Sequence, residues 1–400
     1  MNRFLMPCLL AVPLITGSCE GGGRSEADVV VRDSAGVAIV ENAAPLWSDG
    51  ASWRVSQPVV DIGVLEGAPQ YQLFRAASAV LLDDGSIVVA NAGTHELRFF
   101  DREGRHVRST GRRGGGPGEF QSLGYLARHG RDSLLAFDLR QRRASVYAVS
   151  GDFVRAVSLE RGGFAEFVGV LGDGSVVLAG RSFGSGEAGE GVYRGSVAFV
   201  RYMPDGALGD TVGVFPGAEW FQYPSGPAVI TGGLLFGRDT YGAAVGDRIY
   251  IGSSDSHEIG VYSPDGRLTR LVRWARTARP VTDSDFERAK QYVLSRAESD
   301  NERLRTEEML AAMPRLRSMP AFEAFLIDRS GNLWVEDYQA PGTQDESWTV
   351  FDREGRWLGT VLMPPRFRAL DIAEDELLGR WWDEFDVEHV QLRRLLERDE

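Results

Sequence analysis

The sequence Phe-Asp-Arg-Glu-Gly-Arg occurs twice in this chain, at 100–105 and again at 351–356. Each copy follows an aromatic-rich run of β-forming residues, and its glycine stands where a tight turn needs a left-handed backbone. A turn that returns so far along the chain is typical of an array of similar small sheets. The repeat therefore restricts the fold more than any other feature.

Related turns extend the repeat. They are centred on Gly104, Gly151, Gly206, Gly266 and Gly355, which lie 47, 55, 60 and 89 residues apart. The last interval contains a helical pattern at 283–313, for which Ser284 and Glu287 form a candidate capping box. Without that insertion every interval is close to the length of a propeller blade.

We therefore predict an all-β fold, a six-bladed β-propeller with a short helical insertion near 283–313. The last unit, from 367 to 395, contains three strands and then the chain ends. The strand predicted at 53–63 can supply its fourth strand and close the ring, which would leave no exposed sheet edge there.

Composition restricts the class of ligand. The formal net charge is −13, which argues against nucleic acid because phosphate binding needs an excess of basic residues. The chain has only two cysteines, Cys8 and Cys19, so the rest of it carries neither disulfides nor thiol chemistry.

The N-terminus has the proportions of an export signal. Arg3 precedes an apolar run at 4–15 that is too short to span a bilayer, and small residues lead into Cys19. This arrangement resembles a bacterial lipobox, although Thr16 stands where that family prefers an apolar residue. The resemblance implies cleavage after residue 18, lipidation of Cys19, and a protein anchored in the bacterial cell envelope, facing the periplasm or on the outer membrane. Ordinary secretion and a retained anchor are the alternatives.

Three segments follow from these patterns. We predict a lipoprotein-type signal peptide at 1–18, a lipidated tether with an N-terminal hairpin at 19–52, and the propeller at 53–400. The membrane would be contacted through the lipid only.

Residues 114–120, Gly-Gly-Gly-Pro-Gly-Glu-Phe, resemble the Gly-x-Gly-Pro-Gly-x-Phe signature of NHL-repeat propellers. The Asn-His-Arg-Val segment of that repeat is echoed at 94–97 and at 256–259, where His95 and His257 occupy equivalent positions. The resemblance covers roughly residues 53–397. It implies the propeller fold, and the whole chain looks like the six-bladed β-propeller lipoproteins of bacterial envelopes.

The long loops point to a binding face. In a four-stranded blade, the loops from second to third strand and from one blade to the next emerge on one face. The four longest predicted loops, 181–194, 216–239, 276–321 and 337–347, all belong to that face. Insertions gathered on one face of a repeat protein usually form its binding surface.

Six residues at the start of innermost strands are the candidate ligand-binding residues: Arg75, Gln121, Asp239, Tyr241, Glu323 and Arg368. They could instead bond one another around a water-filled channel. His95 and His257 could ligate a metal, but a structural role in the equivalent loops explains both at once.

Two functions remain open. The first is non-catalytic binding of a protein, peptide or glycan on the long-loop face, with Trp220, Phe221, Tyr223 and Tyr241 as candidate contacts and no cofactor. The alternative is a metal-dependent enzyme similar to propeller lactonases or lyases, with one divalent cation in the channel.

Overall fold

A computed structural model of the chain describes residues 28–47, 53–160, 165–182, 191–343 and 346–397. The predicted signal peptide, Cys8 and the lipidation residue Cys19 lie outside the described residues. Within the described residues, no helix is both long enough and apolar enough to cross a bilayer.

The fold is an all-β propeller built from antiparallel four-stranded meanders. The N-terminal strands are β1 (Val29–Ser34), β2 (Val37–Asn42), β3 (Trp53–Val55) and β4 (Val60–Ile62). The first two complete meanders contain β5 (Ala76–Leu81), β6 (Ile87–Asn91), β7 (Glu96–Phe100), β8 (His106–Thr110), β9 (Leu123–Arg128), β10 (Ser133–Asp138), β11 (Arg143–Ala148) and β12 (Phe153–Ser158). Each pairs its strands in sequence order.

The central meanders carry the long insertions. Their strands are β13 (Ala165–Leu171), β14 (Val176–Ser182), β15 (Val192–Tyr202), β16 (Leu208–Ser225), β17 (Ala228–Gly233), β18 (Thr240–Gly246), β19 (Arg248–Ser253), β20 (Glu258–Tyr262) and β21 (Leu268–Trp274). The last part of the chain contains β22 (Phe322–Ile327), β23 (Leu333–Asp337), β24 (Glu346–Phe351), β25 (Trp357–Met363), β26 (Phe367–Ala373), β27 (Glu376–Trp382) and β28 (Glu388–Glu397).

The repeated hexapeptide forms the same turn in both places. The Asp101 carboxylate accepts hydrogen bonds from the backbone N–H groups of Glu103 and Arg105, at 3.1 and 2.8 Å. Asp352 makes the equivalent bonds in the second copy, at 3.0 and 2.9 Å. Gly104 and Gly355 have φ near +80°, the left-handed region that the turn requires.

The two ends of the chain meet in one sheet, as expected. β28 pairs with both β3 and β4, in the order β26-β27-β28-β3. The prediction of one strand over 53–63 is wrong, because residues 56–59 separate two short strands. Pro58, which has no backbone N–H to donate, lies in this break.

The meanders do not form separate sheets throughout. β13 and β18 pair in parallel, with Gly169 opposite Ala244, so two meanders join in an eleven-stranded sheet. A Cβ at Gly169 would lie 2.0 Å from the Ala244 carbonyl oxygen, so only glycine permits this approach. The same sheet is extended by the N-terminal hairpin, since β2 pairs in parallel with β21.

The predicted helical stretch is two helices, α1 (Asp283–Ser295) and α2 (Asp300–Ala312). The proposed capping box of Ser284 and Glu287 is wrong: Thr282 caps α1 and exchanges hydrogen bonds with Asp285. The cap of α1 therefore lies two residues before the predicted one, and Ser299 caps α2 separately.

The helices share a hydrophobic core with an unpredicted hairpin. Most of the predicted loop 216–239 is strand, because β16 continues to Ser225 and turns into β17. Phe221 and Tyr223 of β16 pack with Phe286 of α1 and Leu310 of α2. Trp220, Phe221 and Tyr223 are 6%, 0% and 7% exposed, so the interpretation of these aromatic side chains as surface ligand contacts is wrong.

Candidate functional site

The innermost strands β5, β9, β13, β18, β22 and β26 surround a channel with a cavity volume of about 650 Å³. They all run in the same direction along it, because each begins after a connection between meanders and ends in a tight turn. Their first residues therefore lie at one end of the channel and their last residues at the other. The insertions at 216–233 and 276–321, and the 338–343 segment, belong to the end where these strands begin.

Bulges shape the channel wall. One residue is skipped in the pairing of β5, β9, β13, β22 and β26 with the adjacent strand. The skipped residues are Ala77, Gly124, Val168, Glu323 and Leu370. Bulges redirect side chains and are common beside functional sites. Glu323 is the one charged residue among these five.

We define the mouth as the residues around a second cavity of about 430 Å³ at the end where the innermost strands begin: Tyr241, Glu323, Glu336, Glu346, Arg366, Arg368 and Trp382. Tyr241, Glu323 and Arg368 also line the channel, so the two cavities are continuous. The structure thus brings together three of the six predicted site residues.

The other three predicted residues lie elsewhere. Asp239 precedes β18 and accepts two hydrogen bonds from Arg181, at 2.6 and 2.7 Å. Arg75 and Gln121 are exposed, and in the described part of the chain neither lines the channel or the mouth. Arg75 lies one residue before β5 and Gln121 two residues before β9, so both precede the part of the strand that lines the channel.

Two carboxylates of the mouth were missed in the sequence. Glu336 ends the apolar part of β23, and Glu346 begins β24, so antiparallel pairing places both beside Glu323. One feature of the sequence could have indicated Glu336: this charged residue directly follows the apolar run Leu333, Trp334, Val335, which is buried in the structure.

The three carboxyl groups are strongly perturbed. Burial raises the pKa of Glu323 to about 8, and the nearby Glu336 adds to the shift. Burial also raises the pKa of Glu346 to about 7, again with a contribution from Glu336. The pKa of Glu336 is raised by burial and lowered in part by Arg368. Burial therefore favours the neutral forms of these carboxyl groups, and a neutral carboxyl group can both donate and accept hydrogen bonds.

These groups lack protein partners. Among the described residues, Arg368 forms no hydrogen bond or ion pair, and neither do the carboxyl groups of Glu336 and Glu346. The Glu323 carboxyl accepts one bond, from the backbone N–H of Gln339. Half-buried charged groups usually have partners within the protein. Their absence leaves hydrogen-bonding capacity directed into the mouth.

The opposite end of the channel is crossed by ion pairs. We define the floor as Asp83, Arg128, Arg329 and Asp371. Asp83 pairs with Arg128 at 2.7 Å and with Arg329 at 3.3 Å. Asp371 accepts a bond from the backbone N–H of Leu81 at 2.9 Å and lies 3.4 Å from Arg329. The floor joins four meanders at this end.

The two candidate metal-binding histidines lie outside the mouth. His95 and His257 each immediately precede a third strand, β7 or β20, as their equivalent spacing predicts. His257 packs edge-on against Trp274 with a centroid distance of 5.2 Å. Within the described ranges, no group of three or more His, Cys, Asp or Glu side chains is arranged to hold a metal ion.

Comparisons with known proteins bear on the fold. No family model and no curated protein matches the chain. A solved member of the DUF4221 family from Bacteroides vulgatus is 10% identical, with a TM-score of 0.51 over 88% of this chain and all of that one.

Two other solved structures are similar to the chain. A candidate exported protein from Bacteroides fragilis is 13% identical, with a TM-score of 0.49 over 90% of this chain and all of its own. A gluconolactonase from Xanthomonas campestris is 13% identical, with a TM-score of 0.40 over 87% and 96% of the two chains. At these identities the comparisons show a shared propeller fold alone.

Proposed function

We propose that this protein is an exported, envelope-anchored propeller that binds a protein, peptide or glycan ligand at the mouth without catalysing a reaction. The observation that carries the proposal is the set of charged groups without an ion-pair partner, on half-buried Glu336 and Glu346 and on exposed Arg368. Leaving such groups without partners costs free energy that a bound ligand would recover.

The elements that surround the mouth also support it as the binding site. The mouth opens on the face where the insertions lie, and these form a wall with its own hydrophobic core rather than loose loops. A ligand held there would contact elements that are already ordered, which lowers the entropy cost of binding.

The test compares two triple variants that remove the same charges. The mouth variant is Glu323→Gln, Glu346→Gln and Arg368→Gln, and the control on the opposite face is Glu103→Gln, Glu354→Gln and Arg353→Gln. Both are applied, with the wild-type chain, to arrays of peptides and envelope oligosaccharides. We expect the mouth variant to lose the binding that the control keeps. Equal binding by both variants would contradict the proposal.

We also propose that the ring contains six blades. The joined eleven-stranded sheet would then count as two blades, and β26, β27 and β28 with β3 and β4 as the closing one. The pairing of each innermost strand with its own following strand supports this count. An experimental structure with a different number of inner strands around the channel would contradict it.

The anchor remains part of the proposal. Cleavage after residue 18 and lipidation of Cys19 would tether the propeller through the polar segment that follows. Cells fed radiolabelled palmitate should label the wild-type chain and leave a Cys19→Ser variant unlabelled. Labelling of that variant would contradict lipidation at this residue.

A metal-dependent lactonase- or lyase-like activity is the alternative function. Raised carboxyl pKa values gathered in a cleft are typical of catalytic sites, and this observation favours it. Elemental analysis of the purified chain, together with lactone hydrolysis before and after chelation, separates the two. A stoichiometric divalent ion needed for turnover would favour the enzyme.

A further inference from the structure

Part of the channel wall below the mouth is apolar, beside polar side chains such as Glu166, Arg181 and Arg380. Half-buried side chains of three innermost strands line it, among them Val168, Phe325, Ile327 and Leu370. An innermost strand of six residues spans about 20 Å, so this wall is deep enough for a large side chain. When an apolar group of a ligand replaces water against this surface, the free energy of the complex falls.

The channel is polar at both ends but in different ways. At the floor, Arg128 and Arg329 are engaged by Asp83, Asp371 and the backbone carbonyl of Leu81. Both guanidinium groups are thus already bonded within the protein and are less available to a ligand than Arg368. At the mouth, the carboxyl groups of Glu336 and Glu346 remain unpaired, and Arg368 is the unpaired cation beside them. An entering molecule therefore meets an excess of carboxyl groups first and apolar wall next.

We infer that the mouth and channel bind a primary ammonium group carried next to an apolar side chain, as found at the N-terminus of a peptide that begins with a large apolar residue. The ammonium group would lie among Glu323, Glu336 and Glu346, and the side chain would extend along the apolar wall. Arg368 would then donate a hydrogen bond to the first peptide carbonyl oxygen. This inference rests on the proposed function and specifies its ligand.

Other ligand chemistries fit less well. A carboxylate at the mouth would face three carboxyl groups and two guanidinium groups, of which that of Arg366 is already paired with Asp386, and this balance is unfavourable. A neutral polyhydroxylated ligand could bond the mouth but would leave the apolar wall in contact with water. Only a molecule with a cationic head and an apolar end matches both parts of the cavity.

The charge on the carboxyl groups gives a direction for the pH dependence. A bound ammonium group favours the ionised form of Glu323 and Glu346, whose pKa values are raised to about 8 and 7 by burial. Arg366, Arg368 and Arg380 are the cations that face the same space. The other titratable groups close to these carboxyls are Asp337, Tyr241 and Tyr338. Affinity for an ammonium ligand should rise with pH across this interval.

The experiment uses calorimetry on the full chain with four probes: Phe-Gly-Gly-Gly, its N-acetylated form, Gly-Gly-Gly-Gly and free phenylalanine. We expect Phe-Gly-Gly-Gly to bind about tenfold more tightly than the acetylated peptide, because acetylation removes the charge-assisted bonds. It should exceed Gly-Gly-Gly-Gly by about tenfold or more through the buried ring. Free phenylalanine binding more weakly than the peptide would identify a peptide terminus as the ligand, and equal binding a free amino acid; both support the ammonium inference.

Two variants locate the groups. Glu336→Gln with Glu346→Gln should abolish the preference over the acetylated peptide, whereas Glu103→Gln with Glu354→Gln should keep it. Ala77→Phe, which fills the channel, should remove the preference over Gly-Gly-Gly-Gly, and its thermal unfolding shows whether the fold is kept. If Ala77→Phe does not fold, Leu370→Ala serves instead and should weaken Phe-Gly-Gly-Gly alone.

The outcomes separate this inference from the proposed function. Equal affinity for the free and acetylated peptides would overturn the ammonium group, and equal affinity for the Phe and Gly peptides would overturn the channel. No binding of any probe at millimolar concentration would overturn the inference as a whole. The proposed function would still stand if the mouth triple variant lost array binding that the control kept.

Discussion

At the floor of the channel, Arg128 and Arg329 share Asp83, and Asp371 is held by a backbone N–H group and by Arg329. At the mouth, Glu323, Glu336, Glu346 and Arg368 form no ion pairs within the described residues, whereas Arg366 pairs outward with Asp386. Both sets come from the ends of the same innermost strands, so the sheets alone do not explain the contrast. Charged groups at the floor hold the meanders together, whereas those at the mouth are left available.

Burial alone does not distinguish the ends either. Burial raises the pKa of Asp371 as it does that of Glu323. The difference is that Arg329 and the Leu81 N–H offset the cost for Asp371, while Glu323 has other carboxyl groups as neighbours. A charge that is buried and compensated stabilises a unique structure only weakly, but removing its partner is costly. The four predictions below test this contrast, from the largest expected effect to the smallest.

Removing the central carboxylate of the floor should have the largest effect. Asp371→Ala leaves the buried Leu81 N–H without its partner and Arg329 with Asp83 as its one remaining carboxylate, and we expect the free energy of unfolding to fall by about 3 kcal/mol. Urea denaturation measures it. Asp132→Ala, an exposed change at the same end, is the control. A loss no greater than that of the control would show that the floor does not join the meanders energetically.

Removing a carboxyl group of the mouth should increase the free energy of unfolding, whereas removing one of the floor lowers it. Because the pKa of Glu323 is raised to about 8, its stability contribution is fully present below the unfolded pKa and is lost as pH rises through about 8. Glu323→Gln should therefore raise the free energy of unfolding by about 2 kcal/mol near pH 9 and have little effect near pH 4.

Denaturation curves across this pH range provide the measurement, with the exposed Glu103→Gln as the control. A Glu323→Gln variant that is less stable than the wild-type chain at the alkaline end would mean that the carboxylate has a stabilising partner. The mouth would then resemble the floor.

Removing the neighbouring carboxyl group of Glu346 should also increase the free energy of unfolding, but by less. Glu346 has its pKa raised to about 7, so its stability contribution is lost as pH rises through about 7. Glu346→Gln should raise the free energy of unfolding by about 1 kcal/mol near pH 8. The carboxyl ¹³C chemical shift of Glu346, followed by NMR, should titrate near neutral pH. A midpoint close to that of an exposed glutamate would contradict the burial argument.

The smallest effect should come from the unpaired cation. Arg368 is exposed and forms no ion pair among the described residues, so Arg368→Gln should change the free energy of unfolding by less than about 0.5 kcal/mol. The same denaturation assay applies. A loss comparable to that of Asp371→Ala would show that Arg368 is a structural partner of the mouth carboxyls rather than a free group.

Local sequence signals were sufficient for the repeating unit. The Asp-x-x-Gly turns, the aromatic strand before each turn and the helical pattern depend on residues within a few positions of one another, and each formed where expected. The closing of the ring by residues near 53 also followed, because a three-stranded last unit needs one more strand. The choice of Thr282 over Ser284 as the helix cap shows the limit of such signals, since both residue types cap equally well.

The site depended on pairings that are distant along the chain. Tyr241, Glu323 and Arg368 could be proposed because each lies near the start of an innermost strand. Glu336 and Glu346 could not, because only the register of β22, β23 and β24 directs them to the same cavity. The burial of Phe221 and Tyr223 was equally hidden, since it depends on two helices about sixty residues or more further along the chain. Trp220 instead stacks on Tyr193 of the neighbouring strand.

The sequence by itself determined the all-β repeat, the turn chemistry and the face that carries the insertions, because these follow from local backbone preferences and from strand alternation. Only the tertiary structure decided which charged side chains are paired and which are not. Pairing depends on distances of a few ångströms between residues from different meanders, and a bulge or a one-residue shift in register is enough to change it.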